Sequence, residues 1–388
     1  MAQQVDQLET SGRPRVWLVI GEKPGDNAQI MNLAEAIGWD GEAKKIFVKP
    51  QWAIRKPRVR PTLAPIDLVR SDSLEGPWPD LVITAGRRLS CVGLWIKRAS
   101  AGKTRLVMIG KPRRMLDSID LIVAASHYVL KPGPNVIRHD LPLMHVDPGK
   151  LENAEKLWRS RLAGNPRPLT ALMIGGPTGG LRFDLVTARD LFEKTIESVE
   201  ESGGSLYITT SRRTPSDVVE MLRRECPESA RLFEYDAEAP PEENPYHALL
   251  ALADRFIVTT DSISMMVEVA RLGRSLSMYP LESEVGLFER GLMALGLIRP
   301  LCPRKDPIPG GGLWARTKYR LGRADHNRDL SAIPRLLVEK GRASWLGDEW
   351  VHSSSLVEDD LGRVAERIRR LVQTEVDAGA GNLKSVGP

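Results

Sequence analysis

Asp261, Ser262 and Ser264 fall within one four-residue stretch, Asp-Ser-Ile-Ser, that sets a carboxylate and two hydroxyls side by side. Glu268 follows seven residues after Asp261, about two turns if the segment is helical, so both carboxylates can face one crevice. A carboxylate so placed can accept the two hydroxyls of a ribose diol. Upstream, Ser211-Arg212-Arg213-Thr214-Pro215 carries two guanidiniums that could clamp phosphate oxygens, and its proline suits a first helical turn. The plainer alternative is that Arg213 pairs with a surface acid. A third stretch, Gly175-Gly176-Pro177-Thr178-Gly179-Gly180, is rich in glycine. Residues without a Cβ would let backbone N–H groups approach a diphosphate, with Gly176, Thr178 and Gly179 as the contacts. A glycine turn without chemical consequence is the alternative.

These stretches need elements that hold them at one edge of a sheet. Arg255 to Thr260 is a short apolar, β-branched run, long enough for a buried strand. Asp261 to Ser264 then lies where a helix begins, Met265 to Leu272 continues that helix, and Gly273 ends it. In an open α/β sheet, ligands bind outside the carboxyl ends of the strands, and a helix N-terminus there suits a phosphate. Leu169 to Ile174, Leu206 to Thr210 and Ser275 to Tyr279 read as companion strands. The N-terminal half repeats the pattern with strands at Val16 to Ile20, Asp80 to Thr84, Arg105 to Ile109 and Leu121 to Ala124. A helix at Ala28 to Ile37 is stopped by Gly38. This alternation predicts an α/β fold of two Rossmann-like domains facing an interdomain cleft. The expected boundaries are 14–147, 166–300, an extension at 301–376 with an amphipathic helix from Leu356 to Val376, and a disordered tail at 377–388. A polar helix and Asn-Pro-Arg-Pro, around Asp147 to Arg167, reads as the linker.

The first half has its own candidates. Asp26, in the loop Gly21-Glu22-Lys23-Pro24-Gly25-Asp26-Asn27, lies at a strand end and could act as a general base. It could equally cap the helix that follows. Gly25, Arg87, Arg88 and His127 also fall at or near strand ends and are read as the side that receives an acceptor. For His127 a hydrogen-bonded structural role is the default.

Composition narrows the class. A chain of 388 residues is too long for one typical core. Its 42% apolar and 27% charged content is that of a soluble globular protein, and its three separated cysteines fit a reducing cytoplasm. Three separated cysteines supply neither a disulfide framework nor C-x-x-C. No secretory leader and no run of about 20 apolar residues is read. The charge is uneven: Met1 to Lys150 holds 23 Lys and Arg against 15 Asp and Glu, a net of +8, so the remainder of the +5 total is −3. Arg55-Lys56-Pro57-Arg58-Val59-Arg60, beside Trp52, would suit an anionic membrane surface and a peripheral location. No nucleic-acid-binding signature accompanies it. A solvated basic loop is the alternative.

Several absences bear on mechanism. The chain has no Walker A loop and no G-x-G-x-x-G. It lacks a tyrosine with a lysine four residues on, a D-x-D pair, and histidine and cysteine at zinc spacing. No metal site and no cofactor is predicted. A leaving diphosphate would be stabilised by backbone dipoles and arginines.

TTSRRTP, NPYHALLALAD and VTTDSISMMVE resemble the family of bacterial and plant proteins named after a mitochondrial fission factor, treated as GT-B glycosyltransferases. The likeness is strongest over Leu169 to Pro280 and extends more loosely over Val16 to Val146. The Gly21 to Asp26 loop also resembles lipid-A-disaccharide synthase, and GGPTGG the donor loop of MurG-type transferases. The resemblance implies a nucleotide-sugar donor in the C-terminal domain, with Glu268 on its ribose. It implies an acceptor, of unknown and membrane-associated or lipid kind, at the basic N-terminal domain. Two positions depart from the pattern. His127-Tyr128 replaces a frequent His-Asp, and Glu268-Val269 a frequent Glu-Ala. The first leaves room for a catalytically idle scaffold, and a nucleoside-diphosphate-sugar epimerase shares the fold. The organelle role in the family's name belongs to one branch and is not carried over.

Overall fold

The computed structural model describes residues 13–54, 59–112, 114–178, 181–283, 287–297, 299, 301–307, 317, 328–352 and 360–383. The chain forms two compact units: Met1–Met144 with Asp359–Pro388, and His145–Glu358. Each is built on a six-stranded parallel sheet, as the alternating pattern predicts.

In the first unit the strands are β1 (Val16–Ile20), β2 (Gly41–Lys45), β3 (Leu81–Ala85), β4 (Arg105–Ile109), β5 (Leu121–Ala125) and β6 (Val136–His139). Its helices are α1 (Pro24–Ile37), α2 (Pro50–Ile54) and α3 (Arg87–Ala99). The sheet order is β2-β1-β3-β4-β5-β6, so the direction of winding reverses between β1 and β3. The strands read as continuous apolar runs because both faces are covered. Val16 and Leu18 join one core, while Trp17 and Val19 join the other. β2 (GEAKK) escaped the sequence reading because it is a charged edge strand with exposed side chains.

The second unit contains α4 (Pro148–Leu162), β7 (Leu169–Met173), α5 (Leu185–Ser202), β8 (Ser205–Thr209), α6 (Ser216–Glu225), β9 (Ala230–Phe233) and α7 (Tyr246–Leu252). It continues with β10 (Arg255–Thr259), α8 (Ile263–Arg271), β11 (Ser275–Tyr279), α9 (Leu287–Ala294), α10 (Ala332–Glu339) and β12 (Ser344–Trp345). Its order is β12-β11-β10-β7-β8-β9, which puts the reversal between β7 and β10. Renumbered from β7, this is the Rossmann order 3-2-1-4-5-6.

The segment boundaries differ from the sequence expectation in two respects. The polar helix expected before Asn-Pro-Arg-Pro is present as α4, but it belongs to the second unit and packs on α7 instead of serving as a linker. Trp158 Nε1 donates to the Glu242 carbonyl at 3.1 Å and its ring meets Tyr207 edge-on. The extension expected at 301–376 is divided. α10 and β12 complete the second unit, whereas α11 (Leu361–Leu383) returns to the first. Val364, Ala365, Ile368 and Val372 of α11 fill the core beside α1. Arg369 donates to the carbonyls of Ile37 and Ala36, at 2.9 and 2.6 Å. These lie at the end of α1, which has no cation in its own last turn, so Arg369 supplies the charge that the helix dipole favours there. The tail expected from 377 is helical through Leu383, and the residues after it lie outside the described set. Among the described residues no helix is long and apolar enough to cross a membrane.

Candidate functional site

The three stretches singled out in the second half meet at the carboxyl edge of β7, β8 and β10. Gly175 and Gly176 follow β7, Ser211 to Thr214 follow β8, and Asp261 and Ser262 follow β10. Because β7 and β10 are neighbours at the reversal, the first and third loops lie side by side there. Asp261 is at the centre, and its side chain has 0% exposure. Its Oδ2 accepts from the Gly176 N–H at 3.0 Å, from Arg213 Nη2 at 2.8 Å and from Ser262 Oγ at 3.2 Å. Its Oδ1 is buried and makes no hydrogen bond. Burial pushes the Asp261 carboxyl above its ordinary value, and the Arg213 charge and the Gly176 N–H oppose that rise.

Gly175 and Gly176 have a packing reason to lack a side chain. A Cβ on Gly175 would lie 2.2 Å from Asp261 Oδ2, and one on Gly176 would lie 2.0 Å from the Arg213 carbonyl oxygen. These residues are small because two protein loops close on them. Their N–H groups are also taken, by Thr259 Oγ1 at 2.9 Å and by Asp261. Thr214 fastens the β8 loop to the same place, donating to the Gly175 carbonyl at 2.6 Å. It also accepts the Ser211 N–H at 2.9 Å. Thr178 is half-buried, three residues beyond Gly175, and Gly179 lies outside the described residues.

Arg213 is no simple surface pair. It joins a buried carboxylate to solvent, with 38% of its own side chain exposed. Arg212 beside it is exposed, with no ion pair among the described residues. α8 starts immediately after this network. Ser262 is its N-cap residue but makes no side-chain cap. The N–H groups of Ile263, Ser264 and Met265 therefore have no acceptor within the helix. That is the anion-binding arrangement of a helix N-terminus.

Glu268 faces a different partner. It is partly buried in the second turn of α8, and its Oε2 accepts a short hydrogen bond from the Tyr246 hydroxyl of α7. Burial pushes the Glu268 carboxyl up, and burial with the adjacent carboxylate pushes Tyr246 well up. Tyr246, Thr214 and Thr259 were not singled out in the sequence. The signal for Tyr246 was its place in NPYHALL, whereas the two threonines stand at strand ends where hydroxyls are common.

In the first unit, Gly25 and Asp26 lie in the first turn of α1, after β1, and Arg87 and Arg88 open α3, after β3. They flank the second reversal point. Asp26 is not the helix cap, because α1 begins at Pro24 with Lys23 as its N-cap residue. It is an acid in the first turn, where the dipole favours it. A Cβ on Gly86 would lie 3.1 Å from Asp26 Oδ2, which brings Asp26 to the start of α3. Lys23 Nζ is 4.0 Å from the same oxygen. Arg88 Nε donates to the Trp52 carbonyl at 2.9 Å, which ties it to α2. His127, beyond β5, is buried with its ring 4.1 Å from that of Tyr128.

Among the described residues, no cluster of three or more His, Cys, Asp or Glu could hold a metal ion. A cavity of 680 Å³ opens at the opposite edge of the second sheet, lined by Phe192, Ile196, Gly204 and Glu225. It lies away from the loops described above, whose polar convergence marks the better candidate.

The family model described as Mitochondrial fission ELM1 matches residues 24–319. The Arabidopsis thaliana protein named Mitochondrial fission protein ELM1 is 25% identical over 266 residues, which cover 62% of this chain and 61% of that relative. The chain thus spans about three fifths of the relative's length. Among solved structures, the chain is similar to the UDP-GlcNAc 2-epimerase of Methanocaldococcus jannaschii in complex with UDP-GlcNAc and UDP. The identity is 11%, the coverage 93% of this chain and 99% of that one, and the TM-score 0.44. It is also similar to MurG of Acinetobacter baumannii, at 13% identity, 92% coverage of each chain and a TM-score of 0.40. With the family model matched over most of its residues, the chain belongs to the mitochondrial fission ELM1 family.

Proposed function

We propose that the protein is a GT-B glycosyltransferase that takes a sugar from a nucleotide-sugar held by its second unit. The observation that carries this reading is the uncapped start of α8 beside Arg213, at the point where the winding of the sheet reverses. The diphosphate would lie on the N–H groups of Ile263, Ser264 and Met265, with Arg213 and Arg212 supplying charge. Ser262 and Ser211 would add hydroxyls. Glu268, positioned by Tyr246, would take the ribose.

In the transfer, an acceptor hydroxyl attacks the anomeric carbon while the bond to the diphosphate breaks. The leaving charge would fall on the helix-start dipoles and on the Arg213 guanidinium, which Asp261 already orients, so this reading requires no metal. Asp26 would receive the hydroxyl proton, with Gly25, Arg87, Arg88 and His127 around the acceptor.

The test is a thermal-shift screen with UDP-, GDP-, ADP- and CMP-sugars, followed by turnover assays with and without EDTA. A ligand at 100 times its Kd adds about 2.7 kcal/mol of stability. If none of the nucleotide-sugars shifts the transition, the donor site is wrong. Binding without any turnover would mark an idle scaffold, and an isomerised sugar an epimerase. Activity lost to EDTA and restored by Mn²⁺ would remove the metal-free mechanism.

A further inference from the structure

The excursion between β2 and β3, residues 46–80, carries six Lys and Arg against four acids, a net of +2, and all six cations precede Asp72. Within it, the turn Asp67–Ser71 is tightly fixed. The Ser71 N–H and Oγ both donate to the Asp67 carbonyl, at 3.0 and 2.6 Å. The Val69 and Arg70 N–H groups share Asp67 Oδ1, at 3.2 and 3.3 Å. Two bonds anchor the turn to Phe47: Asp67 N–H to its carbonyl and its N–H to Ser71 Oγ, both 2.9 Å.

This rigid turn holds Leu68 and Val69 in water, 60% and 96% exposed. Arg70, next in sequence, and Lys45 both lie over the Phe47 ring, at 4.5 and 5.2 Å, and the Lys45 N–H donates to Asp72 Oδ2 at 2.6 Å. Lys49 is tied to the neighbouring strand of the loop through the Ala64 carbonyl at 3.2 Å. Two adjacent aliphatic side chains on a fixed tip gain by leaving water. The tip can enter an apolar phase because the N–H groups of Val69, Arg70 and Ser71 are already satisfied inside the turn. The surrounding cations select an anionic partner.

We propose that this turn docks the first unit on an anionic lipid bilayer, with Leu68 and Val69 in the interface and Lys45, Lys49 and Arg70 among the headgroups. Nucleic acid fits less well. Aliphatic side chains do not stack on bases, and the N–H groups of the turn are spent on Asp67 and cannot meet phosphates. The proposal is independent of the donor site.

The experiment is co-sedimentation of the full chain with vesicles of phosphatidylcholine alone and of phosphatidylcholine with about one third phosphatidylglycerol. The wild type should bind only the anionic vesicles, and binding should weaken as salt shortens the Debye length. The Leu68→Ser/Val69→Ser variant should lose about tenfold or more in vesicle affinity with an unchanged thermal transition, since both side chains are exposed. Lys45→Gln/Arg70→Gln should lower both the affinity and its salt dependence. The proposal is overturned if the wild type fails to sediment at low salt, or if the double serine variant binds as well as the wild type. Single-stranded RNA that displaces the vesicles, with equal affinity for wild type and double serine variant, would also overturn it.

Discussion

Replacing Arg213 by Gln removes the guanidinium paired with Asp261, whose side chain has 0% exposure. Breaking a fully buried pair by removing one partner costs about 3–5 kcal/mol. Arg213 is 38% exposed, and solvent screening lowers that figure to about 1.5–3 kcal/mol. For a unit of this size the unfolding temperature should fall by about 3–12 °C. The loss must also depend on pH in a definite direction. The Asp261 carboxyl is already raised by burial, and without Arg213 it rises further. A raised carboxyl contributes stability that is full below its unfolded value and is lost as pH climbs through the folded one. The variant should therefore match the wild type in acid and fall behind it toward neutral pH. Asp261→Asn should cost less, about 0–1 kcal/mol, because the cation it leaves is partly in water. The double variant Arg213→Gln/Asp261→Asn should regain most of the stability lost by Arg213→Gln, since no buried charge remains. Calorimetry of the four proteins across pH 4.5–8 decides the matter. A pH-independent loss in Arg213→Gln, or a double variant as unstable as the sum of the singles, would refute the reasoning.

Three further expectations follow from the same geometry. Glu268→Ala should weaken nucleotide-sugar binding by about 1.5–3 kcal/mol, and Tyr246→Phe should weaken it less; titration calorimetry showing unchanged affinity for both would remove Glu268 from the donor site. Asp26→Asn should lower turnover by about 10²–10⁴ with donor affinity and stability kept, and near-normal turnover would leave Asp26 as a first-turn acid only. Arg369→Ala, which deletes two hydrogen bonds to the end of α1, should cost about 1–2 kcal/mol; urea unfolding followed through the first unit's tryptophans measures it.

The strands that carry the candidate site were legible because they are buried on both faces. Runs such as Arg255–Thr259 and Leu169–Met173 have no polar alternation to confuse them. The edge strands β2, β6 and β9 were not legible, since half-exposed or exposed side chains leave no apolar run. Loop positions could be read from the strands that end in them, and their content could not. Arg213 and Asp261 are 48 residues apart, and only the adjacency of β7 with both β8 and β10 brings them together. The glycines were recognised, and at Gly175 and Gly176 packing adds a reason the sequence could not show: sequence shows that a Cβ is missing, and only packing shows what occupies its place. The start of α1 was placed four residues late, because Pro24 suits a first turn as well as it suits a loop.

The return of α11 to the first sheet has a consequence for synthesis. A ribosome makes β1 to β6 first, yet the core beside α1 lacks Val364, Ala365, Ile368 and Val372 until translation has passed Glu358. The whole of His145–Glu358 must be made in the interval, about 10–40 s at ~5–20 residues per second. During that time Ile30, Leu33, Val107 and Val123 form an apolar surface with an unfilled face. The second unit is contiguous and can close as soon as it emerges. The nascent chain therefore matures in an order opposite to its sequence, and its first-made half is the half that a chaperone would have to hold.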